Sequence, residues 1–105
     1  MTRPSRGEVW WVEEPEMGRR PGLVLTRDSA IDVLTWVLVA PATRTKRGIP
    51  TEVSLDTEDG LPWPCAVTLD NIRPVRRALL TRRIAVLHPG LMHRVCNALR
   101  IAVDC

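Results

Sequence analysis

The chain has no phenylalanine and no tyrosine, so its four tryptophans are its only aromatics. It has two asparagines and one lysine, Lys46, so fourteen of its fifteen cations are arginine. Long apolar runs are missing too. The longest uncharged stretch, Val33 to Thr43, is too short to cross a bilayer. No apolar segment follows the arginines of residues 1–7, so neither a signal peptide nor a membrane is expected, and the expected location is the cytoplasm. Cysteine is sparse. Cys65, Cys96 and Cys105 are an odd set with no CxxC or CxxH spacing, which argues against a disulfide framework and a structural zinc site. Reduced thiols are expected, with Cys65 and Cys96 as small core residues. His88 and His93 stand five apart with no further ligand at helical spacing, so no metal is expected. No GxSxG elbow and no Walker loop is present, and no cofactor is expected. Glu13 and Glu14 are neighbours on a strand, so their carboxylates do not converge as an acid–base pair.

What is present is ordinary globular composition: 45% hydrophobic, 26% charged, with a mean hydropathy of −0.05. A chain of 105 residues holds one domain, residues 1–105. The net charge is +3 and the pI is near 9.2. Residues 71–103 carry seven arginines and no acid, whereas residues 8–16 carry four acids and no base. A basic face is therefore expected, suited to phosphate contact. Coding bias toward arginine accounts for the same counts, so composition alone leaves both readings open.

The pattern along the chain is mainly β. Glu8 to Glu13 is rich in strand formers, and Pro15 to Pro21 reads as a loop. Leu23 to Arg27 reads as a strand, and Leu34 to Ala40 as a central strand buried on both faces and broken by Pro41. Thr43 to Gly48 is a basic loop. Thr51 to Leu55 alternates, with Val53 and Leu55 inward. Asp56 to Pro64 is a turn region, Cys65 to Leu69 a strand that Asn71 to Arg73 continues, Val75 to Leu80 a short helical turn, and Ile84 to Leu87 a last strand. The period then changes. Leu91, Val95, Leu99 and Val103 recur every four residues and predict one amphipathic helix, with Pro89 at N1 and His88 as a weak N-cap. So many short strands in so short a chain must curl to hide their edges, which predicts a small β-barrel with a C-terminal helix. The small core makes a dimer an expectation.

Two segments can carry chemistry. Gly18-Arg19-Arg20-Pro21 sets two guanidinium groups at a strand mouth, with Pro21 holding Arg20 extended. Thr43 to Gly48 offers hydroxyls with Arg44, Thr45, Lys46 and Arg47. If the two adjoin, they form a pocket of guanidinium and hydroxyl donors. Such a pocket suits a phosphodiester whose own 2′-OH is the nucleophile. Solvated basic turns are the alternative reading.

Six segments in order carry a resemblance. They are Arg6-Gly7-Glu8-Val9-Trp10, Gly18-Arg19-Arg20-Pro21-Gly22-Leu23-Val24-Leu25, Val39-Ala40-Pro41-Ala42-Thr43, Ile49-Pro50-Thr51-Glu52-Val53, Asp70-Asn71-Ile72-Arg73 and Leu87-His88-Pro89-Gly90-Leu91-Met92. Over nearly its whole length the sequence resembles the MazF/PemK family of toxin endoribonucleases. The resemblance implies an SH3-like β-barrel with a C-terminal helix, a homodimer, and metal-independent cleavage of single-stranded RNA at short sequences. It also implies an antitoxin partner with an acidic, flexible tail. It sets the catalytic residues at Arg20 and Thr43. Arg19, Arg44, Thr45, Lys46 and Arg47 are then expected to steer the RNA, and Asn71 to read a base. The related gyrase-poisoning toxins share the fold and grip a protein without cutting RNA, which is the alternative. Two departures stand out. The segment Glu14 to Arg19 is shorter than the lid of many relatives, and His88 replaces the usual cap residue.

Overall fold

β-Branched and aromatic residues in Glu8–Glu14 favour an extended chain, and their alternation sends neighbouring side chains to opposite faces. The computed structural model describes residues 3–16 and 18–105. Met1 and Thr2 of the expected loose start, and Met17 of the expected loop, lie outside the described residues. Seven strands are present: β1 (Glu8–Glu14), β2 (Gly18–Val24), β3 (Trp36–Thr43), β4 (Glu52–Leu55), β5 (Cys65–Thr68), β6 (Arg73–Arg76) and β7 (Leu80–Val86). Two helices, α1 (Asp28–Ile31) and α2 (Pro89–Val103), complete them, with short 3₁₀ turns between strands. The sheet order is β4-β5-β3-β2-β1-β7, and β6 pairs with the first half of β3. Every pairing is antiparallel. The sheet curls into a half-barrel, the form taken by the small barrel the sequence predicts.

Alternation gives the sheet two packed faces. One face packs Val9, Leu23, Val53, Leu55 and Val67 against Leu91, Val95 and Ala98 of α2. The other gathers Trp10, Val12, Val24, Val37, Val39 and Val75 with Ile31 of α1. Glu8 anchors the sheet where the chain enters it. Its buried carboxylate accepts hydrogen bonds from the Ser5 backbone N–H at 2.7 Å and from Trp10 Nε1 at 3.0 Å, and pairs with Arg83 of β7 at 3.1 Å. One of the four N-terminal acids is therefore structural.

The structure corrects several sequence expectations. Gly18 to Pro21 is not a loop but the start of β2. Pro41 does not end β3, which runs on to Thr43. Both prolines sit where few ladder bonds are at stake. The β2–β3 ladder ends at Gly22↔Pro41, and near Pro41 the other edge of β3 changes partner from β6 to β5. β3 is not buried on both faces, because Trp36 and Leu38 are each 48% exposed. Residues 75–79 form the end of β6 and a 3₁₀ turn, and the last strand begins earlier than expected, at Leu80. α1 gave no apolar period, having only four residues. Cys65 is fully buried as expected, but Cys96 is half-buried, with Arg6 donating to its Sγ at 3.3 Å.

His88 caps α2 better than its residue type implies. Its Nδ1 accepts from the Leu91 backbone N–H at 3.2 Å, and Pro89 follows at N1. Replacing His88 with Ala should lower stability by about 0.5–2 kcal/mol in a denaturant titration. Burial pushes the Cys65 thiol above its ordinary value of 9.0. The unfolded chain then gives up this proton first, so the contribution is complete below pH 9.0 and is lost as pH rises above it. Cys65→Ala should flatten this alkaline fall when unfolding is followed against pH.

Candidate active site

Cross-strand partners share a face, so the register decides where the candidate residues point. Arg20 pairs with Val12, and Gly22 pairs with Pro41. Arg20 and Gly22 therefore share a face with Val39, Pro41 and Thr43. Arg20 and Thr43 each lie two residues beyond the Gly22↔Pro41 pair, at the same end of the sheet. The ladder has stopped there while both strands continue.

A groove of about 500 Å³ opens on this face, lined by Arg20 together with Glu14, Asp70, Asn71 and Arg73. Its floor includes Gly22. A Cβ built there would stand 2.4 Å from a Val39 methyl and 2.9 Å from a Val12 methyl, too close for any other residue without displacement. The wall formed by the Leu69–Asn71 turn is pinned from behind. The Thr51 hydroxyl donates to the Asp70 carboxylate, and the Leu69 N–H donates to the Thr51 carbonyl at 2.9 Å. Thr51 is buried and Asp70 exposed, so the link joins the core to the groove wall. On the opposite wall Arg73 pairs with Glu14.

Of the residues expected to act, Arg20 and Asn71 line the groove. Thr43 stands on the same face but is not part of the groove wall; its Oγ1 accepts from the Thr45 N–H at 3.2 Å. Thr45, Lys46 and Arg47 are exposed on the following loop. Glu52 holds that loop by accepting from the Arg47 and Gly48 N–H groups at 2.9 and 3.1 Å. Lys46 lies near enough to Cys65 to favour its thiolate. Arg19 and Arg44 are on the opposite side of the sheet from Arg20 and Thr43. Arg19 covers the Trp11 ring at 4.1 Å, and Arg44 covers the Trp63 ring at 4.8 Å. The expectation that two basic loops meet in one pocket is thereby corrected. The arginine pair is on a strand, and alternation separates its two members.

Glu14, Asp70 and Arg73 were not assigned roles from the sequence, although all three line the groove. The signal for Glu14 was its two-residue spacing from Val12, which sends both to one face. For Asp70 and Arg73 it was the company of Asn71 in one short motif. Among the described residues no group of three or more His, Cys, Asp or Glu side chains is gathered as a metal site.

Residues 5–103 match the family described as PemK-like, MazF-like toxin of type II toxin-antitoxin system. The chain belongs to this family. It is 48% identical over 103 residues to the probable endoribonuclease MazF5 of Mycobacterium tuberculosis, covering 97% of this chain and 94% of that protein. The Mycobacterium tuberculosis toxin MazF-mt6 has a similar structure, with a TM-score of 0.85 at 34% identity, covering 92% of this chain and 96% of that one. So does an endoribonuclease in complex with its cognate antitoxin from a mycobacterial species, with a TM-score of 0.87 at 27% identity, covering 96% of this chain and 95% of that one. This toxin family's fold thus accounts for the half-barrel and the C-terminal helix.

Gly22→Ala tests the groove floor. The added methyl must displace two valines, which should cost about 1–3 kcal/mol of stability in chemical denaturation.

Proposed function

We propose that this chain is the toxin of a type II toxin–antitoxin pair and an endoribonuclease that cuts single-stranded RNA. The single observation that carries the reading is the guanidinium of Arg20 in an open groove, at the same sheet end and on the same face as Thr43. The near-full-length likeness to endoribonucleases supports it, and with it the nuclease reading over the gyrase-binding alternative.

In the proposed reaction the substrate's 2′-oxygen attacks the adjacent phosphorus and the P–O5′ bond breaks. This leaves a 2′,3′-cyclic phosphate on one fragment and a 5′-hydroxyl on the other. Negative charge grows on the non-bridging oxygens as the phosphorane forms. Arg20 stabilises it, most effectively where water is partly excluded. Thr43 donates a hydrogen bond to a phosphate oxygen or orients the 2′-OH. Asn71, with a donor and an acceptor on one amide, reads a base edge. Thr45, Lys46 and Arg47 attract the strand to the site. No metal is needed to generate the nucleophile, because the 2′-OH belongs to the substrate.

The chain acts as one toxin domain, as a homodimer in the cytoplasm, where its RNA substrate is. No helix among the described residues is long and apolar enough to cross a membrane. Its antitoxin offers an acidic tail that competes with RNA for Arg20 and for the exposed cations Lys46 and Arg47 of the loop after β3.

Purified protein incubated with mixed-sequence single-stranded RNA in EDTA should cut it at a short recognised sequence, read by mapping the new 5′ ends. Arg20→Ala and Thr43→Ala should keep the circular dichroism of the parent and lose roughly 10²–10³-fold in cleavage rate. Undiminished cleavage by both variants would remove this mechanism.

A further inference from the structure

The end of the sheet that carries Arg20 and Thr43 has a second, differently built side. Two dipeptides meet there, Arg19-Arg20 on β2 and Thr43-Arg44 at the end of β3. Adjacent residues of a strand face opposite ways, so Arg20 lines the groove while Arg19 lies on the reverse face; Thr43 stands on the groove's face outside its wall, and Arg44, in the bend that follows β3, lies over Trp63 on the reverse face. On the reverse face the guanidinium of Arg19 covers Trp11 and that of Arg44 covers Trp63. The two indoles touch edge to face, with centroids 5.8 Å apart and planes at 63°. The result is a continuous row, Arg19–Trp11–Trp63–Arg44.

Core packing explains only part of this row. Both tryptophans are half-buried, and Trp63 packs against the α2-facing core. The arginines are exposed, and among the described residues neither is in a salt bridge. An arginine kept for solubility alone does not need to sit over an indole, as Arg19 and Arg44 do at 4.1 and 4.8 Å. A guanidinium is planar, so one seated over a ring and exposed on its other side offers a face to solvent. That outer face is a stacking surface for a nucleobase, already ordered and carrying the charge that draws in a phosphate. Stacking accepts any base, because every base has a π-face.

We propose that Arg19 and Arg44, each backed by its tryptophan, form a base-stacking subsite for nucleotides flanking the cut. RNA leaving the groove turns over the open end of β2 and β3 and lays unpaired bases on the two guanidinium planes. The inference rests on the proposed RNA-cleaving groove for the strand's position, but it concerns binding on the other face. It makes the subsite a selector of single-stranded RNA, since bases paired in a helix cannot be splayed onto it.

The test separates planarity from charge. The double variant R19K/R44K keeps both positive charges and loses both planes. Binding is read with a fully 2′-O-methylated single-stranded oligonucleotide, which no 2′-OH attack can cut, at one fixed salt concentration. The wild-type protein should bind it with quenching of tryptophan fluorescence. R19K/R44K should bind at least roughly tenfold more weakly, with most of the quenching lost. On cleavable RNA the loss should fall mainly on KM. Thermal unfolding of the variant should match the parent, because both side chains are exposed. A lysine variant with the parent's Kd and quenching overturns the stacking subsite, whether or not Arg20→Ala abolishes cleavage. If the wild type binds by stacking but never cuts RNA, the nuclease reading fails and the subsite stands. If the wild type neither binds nor cuts, both fall.

Discussion

The site depends on where the β2–β3 ladder stops. Pro21 and Pro41 lack the N–H that a ladder needs, and the last rung between these strands is Gly22↔Pro41. Both strands continue past that point, held on their other edges by β1 and β5. Arg20 and Thr43 thus belong to well-paired strands yet stand at an opening between them. A loop would offer the same side chains with less control over their direction. Gly22 completes the arrangement, because any side chain there would fill the floor of the groove.

Charge is distributed by pairing rather than by count. The four acids of residues 8–16 precede a chain rich in arginine, and the fold joins the two ends. Glu8 takes Arg83, and Glu14 takes Arg73. The pairs leave Arg19, Arg20 and Arg44, the arginines at the open end of β2 and β3, outside any salt bridge among the described residues. A net charge of +3 understates the local field. Within a Debye length of about 10 Å the unpaired guanidiniums act together, and beyond it they are screened. RNA binding in the proposed groove is accordingly salt-dependent.

Much of this was legible in the sequence. The alternation of Val53 and Leu55, the four-residue spacing of α2 and the strand formers of β1 each predicted the element that is found. The motif order also pointed to Arg20 and Asn71, which line the groove, and to Thr43, which stands on the same face outside its wall. What failed has a common cause. Proline was read as a breaker at Pro21 and Pro41, whereas at the margin of a ladder it is tolerated, and only the partner strands reveal that margin. The same blindness to partners put Arg19 beside Arg20. Alternation alone would have separated them once the segment was known to be a strand. Glu14 was set aside because it does not converge with Glu13, but its partner is Arg73, 59 residues away along the chain. No local pattern carries that contact.

A division of labour follows from the chemistry of the groups in the groove. A guanidinium is a very weak acid, so it is a poor donor to a leaving oxygen near neutrality and an effective fixed charge. In the proposed reaction Arg20 therefore works through its field, and the protons must travel by other groups. The 2′-OH must lose one, and the 5′-oxygen must gain one. Two carboxylates line the groove, each fixed by a partner: Asp70 by the buried Thr51 hydroxyl and Glu14 by Arg73. A carboxylate already engaged on one oxygen retains lone pairs on the other, so holding it in place does not exhaust it as an acceptor. In the proposed reaction the groove thus combines a permanent cation for the phosphorane with a carboxylate that takes the 2′-OH proton and, once protonated, returns it to the departing 5′-oxygen. Those functions need different residues because no one side chain here is suited to both.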